Sequence, residues 1–378
     1  MEISIEPFLR CPLTHTPLTR VPAAELDTLN GQVSAGILHH LDGSPVQTPL
    51  EAALRAENGV LAYPLVDGIY ILMPHLALVL DAEQAKTYRP MLVQEKIDMV
   101  AFYDESGWQK DGEDEFVDAT RFEDLRPVSA NYIAKCHARV GKYFPPTGDF
   151  LLDIASGPVQ YKAYEMYSQG YKKRICADIS MLALQEAKKN LGDHGVYLLC
   201  DITNIPLVDG TVDAFLSLHT VYHVPADQQR TAFAELQRVL KPGQAGVVVY
   251  SWGAQAPLMR FAGPWVKFIK QTRRKIAFWR KRGSRKYIPA EKAKPVTSSG
   301  VEKPYFNPHN YTWVQNNLRE LGYTEFACWR SVSVSFMRNM IFGRLFGRQI
   351  LNVLFGLESR FPRWFARYGQ YPMLICKK

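Results

Sequence analysis

FLLDIASGPVQY, residues 150 to 161, is an apolar run that ends on an acid and breaks at once into small residues. A strand closing in a tight turn reads this way. Ser156, Gly157 and Pro158 make the turn, where a missing side chain lets backbone amides approach a ligand. Outward from it, RICADI (174–179), VYLLCDI (196–202), VDAFLSL (212–218) and AGVVVYSW (245–252) repeat the strand-like character. Between them AYEMYSQGY (163–171), SMLALQEAKKNLG (180–192) and PADQQRTAFAELQRVLKPG (225–243) space their apolar residues by three and four, as amphipathic helices do. The alternation predicts βαβ units and a parallel sheet, hence the α/β class.

Ligands of an open parallel sheet bind at the carboxyl ends of its strands. Asp153, Asp178 and Asp201 end the first three. An acid about 20 residues beyond a glycine turn also occurs in nicotinamide enzymes. Two features point elsewhere: an acid ahead of the turn repels pyrophosphate, and the three-glycine dinucleotide fingerprint is absent. A carboxylate at Asp153 suits a cationic ligand.

LLDIASGP (151–158), CADIS (176–180), CDITNIPLVDGTVDAFLSLHTVYHV (200–224) and ELQRVLKPG (235–243), in this order, resemble the class I S-adenosylmethionine-dependent methyltransferases. Within that class they resemble the group related to quinone-pathway enzymes. NPHNYTWVQNNLRELGYTEF (307–326) and GQYPMLICKK (369–378) match more loosely. The resemblance implies a Rossmann-like, seven-stranded methyltransferase sheet, S-adenosylmethionine as cofactor, and methyl transfer. It implies that Asp153, Ala155, Ser156, Gly157 and Pro158 face the methionine part of the cofactor, and that Asp178 with Ile179 holds the ribose. Asp201 with Ile202 would flank the adenine, and Leu218 with His219 would close the floor. Ala155 and Val159 stand where the family usually has glycine, which leaves the course of the loop open.

Because the sulfonium already activates the methyl group, the protein chiefly aligns the nucleophile in line with it, excludes water and, where needed, takes a proton. His219 and His223, just beyond the fourth strand, are the candidate bases, histidine being the side chain most easily tuned near neutral pH. For His223 a structural role, which the resembling enzymes give a histidine at this position, is the stronger reading. Tyr161, Tyr222 and His309 are candidate substrate-binding residues.

Residues 1–80 alternate turn signals with short apolar runs and end in GVLAYPLVDGIYILMP (59–74), a hairpin turning at Asp67-Gly68. This small β-rich module resembles the zinc-ribbon-type domains that accompany some transfer-RNA and protein methyltransferases. Only Cys11 stands at a knuckle position, Thr14 replaces the second cysteine, and the pair before Tyr63 is missing. Cys11, His15 and His39 or His40 are the only conceivable substitutes, so a metal-free packing module is expected. The six cysteines form no CxxC pair, which argues against a disulfide framework or a four-thiolate zinc site.

Residues 81–145 read as a helical, acidic cap or linker. Residues 95–126 hold 11 acids against four bases, and DESGWQKDGEDEF (104–116) is predicted to be exposed. The core then spans 146–253. A basic helical insertion, 254–310, carries 14 Lys and Arg against two acids, a surplus of +12 in a chain whose net charge is +8. In WVKFIKQTRRKIAFWRKR (265–282), Trp265, Phe268, Ile269, Thr272, Ile276 and Trp279 share one side, and Lys267, Lys270, Arg274 and Lys281 the other. Such a helix can roof the site, lie on an anionic membrane through residues 265–286, or grip phosphates. Residues 311–378 complete the core around a second cap insertion, 331–367, in which Ile341, Leu345, Val353 and Leu357 could share a helix face. An apolar roof predicts a substrate with an apolar part.

The 378 residues, 47% of them hydrophobic, exclude disorder, collagen and coiled coil. The run from Ile69 to Leu80 is broken at Pro74 and falls short of the roughly 20 residues a spanning helix needs. The N-terminus lacks the pattern of a signal peptide. A cytoplasmic protein, with peripheral membrane contact as an option, is expected. Three functions compete: methyl transfer to a small or lipid-like metabolite, methyl transfer to RNA with the basic insertion on the phosphates, and a non-catalytic scaffold. Nucleic acid is the weaker partner, for no RNA-reading motif is present.

Overall fold

In the computed structural model, which describes residues 3–88, 92–110, 116–282 and 304–378, the apolar runs become strands of one sheet. Short runs in the first 80 residues form β1 (Leu18–Arg20), β2 (Ala52–Ala56), β3 (Leu61–Val66), β4 (Ile69–Ile71) and β5 (Leu78–Val79). The core supplies β6 (Gly148–Ile154), β7 (Tyr171–Asp178), β8 (Gly195–Leu199), β9 (Val212–Leu218) and β10 (Leu240–Val249). The C-terminal part adds β11 (Tyr323–Arg330) and β12 (Tyr371–Lys377).

From β8 onward the spatial order is β8-β7-β6-β9-β10-β12-β11. The first five of these are parallel, and β12 runs antiparallel between β10 and β11. This is the expected Rossmann-like methyltransferase sheet of seven strands. The chain winds outward from β6 to β8, returns to β9 and winds the other way. The β6/β9 boundary is therefore the switch point beside which such sheets bind ligands.

The N-terminal module joins the sheet of the core. β4 adds to β8 in parallel register, Ile69 opposite Tyr197 and Ile71 opposite Leu199, so the sheet extends to 12 strands. Leu9, Cys11, Leu54 and Tyr63 share one core with Phe150, Ile205 and Leu207. The added strand pairs the backbone groups that β8 would otherwise leave open as an edge.

Two helical predictions change. Residues 163–171 form only a short helix, Lys162–Glu165, and a 3₁₀ turn, Met166–Ser168, where Arg174 Nη1 donates to the Tyr164 carbonyl at 2.6 Å. The second cap insertion is three helices, Val334–Met340, Gly347–Arg360 and Pro362–Tyr368. Ile341 lies just beyond the first, and Leu345 lies in the turn where Phe346 takes φ 54°, so they share no helix face with Val353 and Leu357. The cap is tied to the core by Glu358. Fully buried, it accepts hydrogen bonds from Arg139 at 2.8 Å, Tyr132 at 2.7 Å and the Ser331 amide at 2.9 Å.

Candidate active site and cofactor cleft

At the end of β6, Asp153 is buried and held by the Arg174 guanidinium, whose Nε lies 3.1 Å away. Its charge is thus matched from within the fold, which corrects the expectation that it awaits a cationic ligand. Asp178, ending β7, accepts from the amides of Gly157 and Ser180, both at 2.9 Å. Burial pushes its pKa up to about 6 against those hydrogen bonds. Its Ser180 bond belongs to the cap of the Met181–Leu191 helix, where Ser180 Oγ accepts from the Ala183 amide. Asp201, just past β8, receives the Lys96 ammonium at 2.5 Å and the Thr203 hydroxyl at 2.8 Å.

The loop course left open by the missing glycines is resolved. Ala155 (φ 54°), Gly157 (φ 57°) and Val159 (φ 50°) are all left-handed, so the backbone follows a glycine path with two residues that carry side chains. Each costs on the order of 1–2 kcal/mol there. Strain of this kind persists where the surroundings over-determine it, as they do at functional sites. Gly157 has a further reason to lack a side chain, because an added Cβ would meet the Trp108 ring at 3.1 Å.

The acidic stretch expected to be exposed instead closes over this loop. The helix Gln94–Phe102 delivers Lys96 to Asp201, Asp104 bonds the Ser180 hydroxyl, and Trp108 packs on Gly157. Ser106 and Gly107 are buried, and Tyr103 stacks on Trp108 with centroids 4.9 Å apart. Burial raises the Asp104 pKa. Of the described charges in 104–116, Asp104 is thus drawn to the end of β7, whereas Glu105 and Lys110 stay exposed as expected; residues 111–115 lie outside the described ones.

These groups border a cavity of about 2000 Å³ that continues along the strand ends beneath the cap. All the cofactor residues named from the sequence line it: Asp153, Ala155, Ser156, Gly157, Pro158, Asp178, Ile179, Asp201, Ile202, Leu218 and His219. Tyr161, Tyr222 and His223 line it too. His309 does not. Its Nε2 bonds the Ala226 carbonyl at 2.9 Å and its ring stacks on Trp313 at 3.6 Å, so it steadies the segment after His223.

His219 adopts φ 64° and packs edge-on against Trp329 at 4.4 Å and Tyr371 at 5.2 Å. Burial, reinforced by Arg330, lowers its pKa well below the usual value, so it is neutral at pH 7. His223 is lowered to about 4 by burial, and its Nδ1 donates to the Tyr305 carbonyl at 2.5 Å, leaving Nε2 as an acceptor. The residues that could conceivably have replaced a cysteine knuckle have other partners: His39 and His40 bond the carbonyls of Ile37 and Leu76, and Cys11 contacts the Tyr63 hydroxyl at 3.3 Å. Among the described residues no three His, Cys, Asp or Glu form a metal-binding group.

Sequence reasoning missed Lys96, Asp104, Trp108 and Arg330. The strand-end rule that found the three acids also selects Arg330, the last residue of β11. Nothing local signals the other three, which reach their partners across a long stretch of chain.

Residues 152–248 match the family model of a methyltransferase domain. No curated protein matches the chain. Among solved structures it is similar to the Haloferax volcanii complex between the Trm112 methyltransferase activator and a methyltransferase, at 22% identity, 34% of this chain, 60% of that chain and TM-score 0.27. It is also similar to geranyl diphosphate C-methyltransferase from Streptomyces coelicolor A3(2), at 14% identity over 76% of this chain and 99% of that one, TM-score 0.42. A third is Haemonchus contortus phosphoethanolamine N-methyltransferase 2, at 14% identity, 80% and 62% coverage and TM-score 0.44. The chain thus spans under two thirds of the first and third of these. At such scores the strand order, not the likeness, carries the fold assignment.

Proposed function

We propose that the chain is a class I S-adenosylmethionine-dependent methyltransferase acting on a small or lipid-like metabolite. The observation that carries this reading is the convergence of the strained Ala155–Val159 loop, Asp178 and Asp201 on one cavity that also contains His219. The donor set fits the cofactor. Asp178 keeps carboxylate lone pairs for ribose hydroxyls, and Asp201 with Ile202 flanks the adenine position. Bound there, S-adenosylmethionine supplies an activated methyl group.

The chain's own groups do the rest. Lys96, Asp104 and Trp108 clamp the acidic segment across the cleft and exclude water. Tyr161 and Tyr222 border the acceptor position. A proton leaving the acceptor goes to a ring nitrogen of His219, which is neutral at pH 7, or to Nε2 of His223. Calorimetry with S-adenosylhomocysteine tests the reading: wild-type binding and its loss in Asp178→Ala are expected, and no binding by the wild type refutes it.

Peripheral membrane contact rests on the cap helix Pro257–Arg282, where Phe261, Trp265 and Phe268 are 78%, 61% and 63% exposed. Cosedimentation with phosphatidylserine vesicles, abolished by replacing the exposed Phe261, Trp265 and Phe268 with serine, is its test. Residues 283–286 of that expected contact, and the side chains of Trp279 and Lys281, lie outside the described ones. Among the described residues no helix is long and apolar enough to cross a membrane.

A further inference from the structure

The charges lining the cavity are sorted along the sheet. The acids Asp153, Asp178 and Asp201 stand at β6, β7 and β8, the half of the sheet that holds the strained loop. On the other side of the switch point, beneath the cap, the lining carries six cations: Arg126, Lys270, Arg273, Arg274, Arg330 and Arg338. Among the described residues only two acids face them. Glu123 is taken by Arg330 at 2.7 Å, and Asp124 by Arg126 at 2.7 Å, so the described lining there keeps a surplus of four positive charges.

The source of that surplus reverses the expected roof. Lys270, Arg273 and Arg274 share one face of the cap helix through their three- and four-residue spacing, and this face lines the cavity. Trp265, Phe268 and Ile276 are exposed and do not. Arg273 Nη1 donates to the Arg338 carbonyl at 3.0 Å, which ties the basic face to the helix Val334–Met340.

The second observation lies deeper. Arg330 is 2% exposed, lines the cavity, and has a buried Nε without a hydrogen-bond partner. The guanidinium lies against Trp329 and Tyr371, 4.6 Å and 4.9 Å from their ring centroids. Buried donors in folded proteins are almost always paired, and a planar guanidinium matches a carboxylate or phosphate. Val334, Phe306 and Leu125 supply apolar wall to the same cavity.

We propose that the cap end of the cavity is an oxyanion-recognition site, and that the methyl acceptor is an anionic amphiphile: an apolar body carrying a carboxylate or phosphate. Arg330 Nε binds the anion at depth, and Lys270, Arg273 and Arg274 draw it in from the mouth. The proposal rests on the methyltransferase reading, which it deepens by naming the substrate class.

The full chain, loaded with S-adenosylhomocysteine, is titrated with octyl phosphate, octanoate and octanol. Binding of one of the two anions about tenfold or more tighter than octanol is expected, and which anion it is separates phosphate from carboxylate. The paired substitution Lys270→Glu with Arg274→Glu, at exposed positions, is expected to weaken that anion about tenfold without changing S-adenosylhomocysteine affinity. Arg330→Lys, which keeps the charge and removes Nε, is expected to weaken it as well. Octanol binding as tightly as both anions, or an anion affinity indifferent to the paired substitution, overturns the proposal. So does retention of a short single-stranded RNA that octyl phosphate cannot displace. Loss of S-adenosylhomocysteine binding in the wild type would instead strike the methyltransferase reading.

Discussion

Trp108 lies against Gly157, its ring 3.1 Å from the point where a β-carbon on that glycine would sit. The contact joins the acidic segment to the loop after β6, two parts of the chain that sequence reading kept apart. It makes Gly157 the residue where backbone conformation and closure of the cleft meet.

Gly157→Ala is therefore expected to lower stability by about 1–2 kcal/mol from its positive φ alone, and to weaken S-adenosylhomocysteine binding by displacing Trp108. Adding Trp108→Ala removes the clash and leaves the φ cost. Thermal unfolding and calorimetry on the single and double variants separate the two; equal losses in both mean that Trp108 is not involved.

Ala155→Gly runs the opposite way. Ala155 holds φ 54° with a side chain that glycine would not need to accommodate, so about 1 kcal/mol of strain is released, partly offset by the greater freedom of the unfolded chain. Chemical denaturation is expected to show an unchanged or raised midpoint, never a large loss.

The pKa of Asp178, raised to about 6 by burial, sets two pH dependences of opposite sign. Below about 6 the carboxyl is protonated in the folded chain and offers ribose hydroxyls a poorer acceptor, so S-adenosylhomocysteine affinity falls as pH drops through that value. Between the usual carboxylate range and 6 the folded state binds more protons than the unfolded state, so this residue's contribution to stability declines as pH rises. Asp178→Asn is expected to flatten both profiles, measured by calorimetry and by denaturation at stepped pH.

Lys96→Met leaves Asp201 mostly buried with only Thr203 beside it. A stability loss of about 2 kcal/mol is expected, together with faster hydrogen exchange in residues 94–108 as that segment loses its anchor to β8. Unchanged exchange would mean that Asp104 and Trp108 suffice to hold it.

Glu358→Ala strands Arg139 in a buried site without its anion. The expected cost is about 3–5 kcal/mol, read by urea denaturation, with Glu358→Gln intermediate because it keeps the hydrogen bonds and loses the charge.

Local chemistry made much of this protein readable in advance. Apolar runs broken by turns located all five core strands, and β9 falls on Val212–Leu218 as read. The rule that acids at strand ends face a ligand selected Asp153, Asp178 and Asp201, because strand direction alone puts those side chains at one edge. What it could not show is which charges the protein neutralises itself. Asp153 and Asp201 are matched by Arg174 and Lys96, and the second of these lies far away in the chain. Likewise the periodicity of residues 265–282 established an amphipathic helix but not which face turns inward. That depended on its packing against Val334–Met340, and the basic face lines the cavity. Sequence determines spacing along an element; orientation comes from partners remote in the chain, whose meeting only tertiary packing decides.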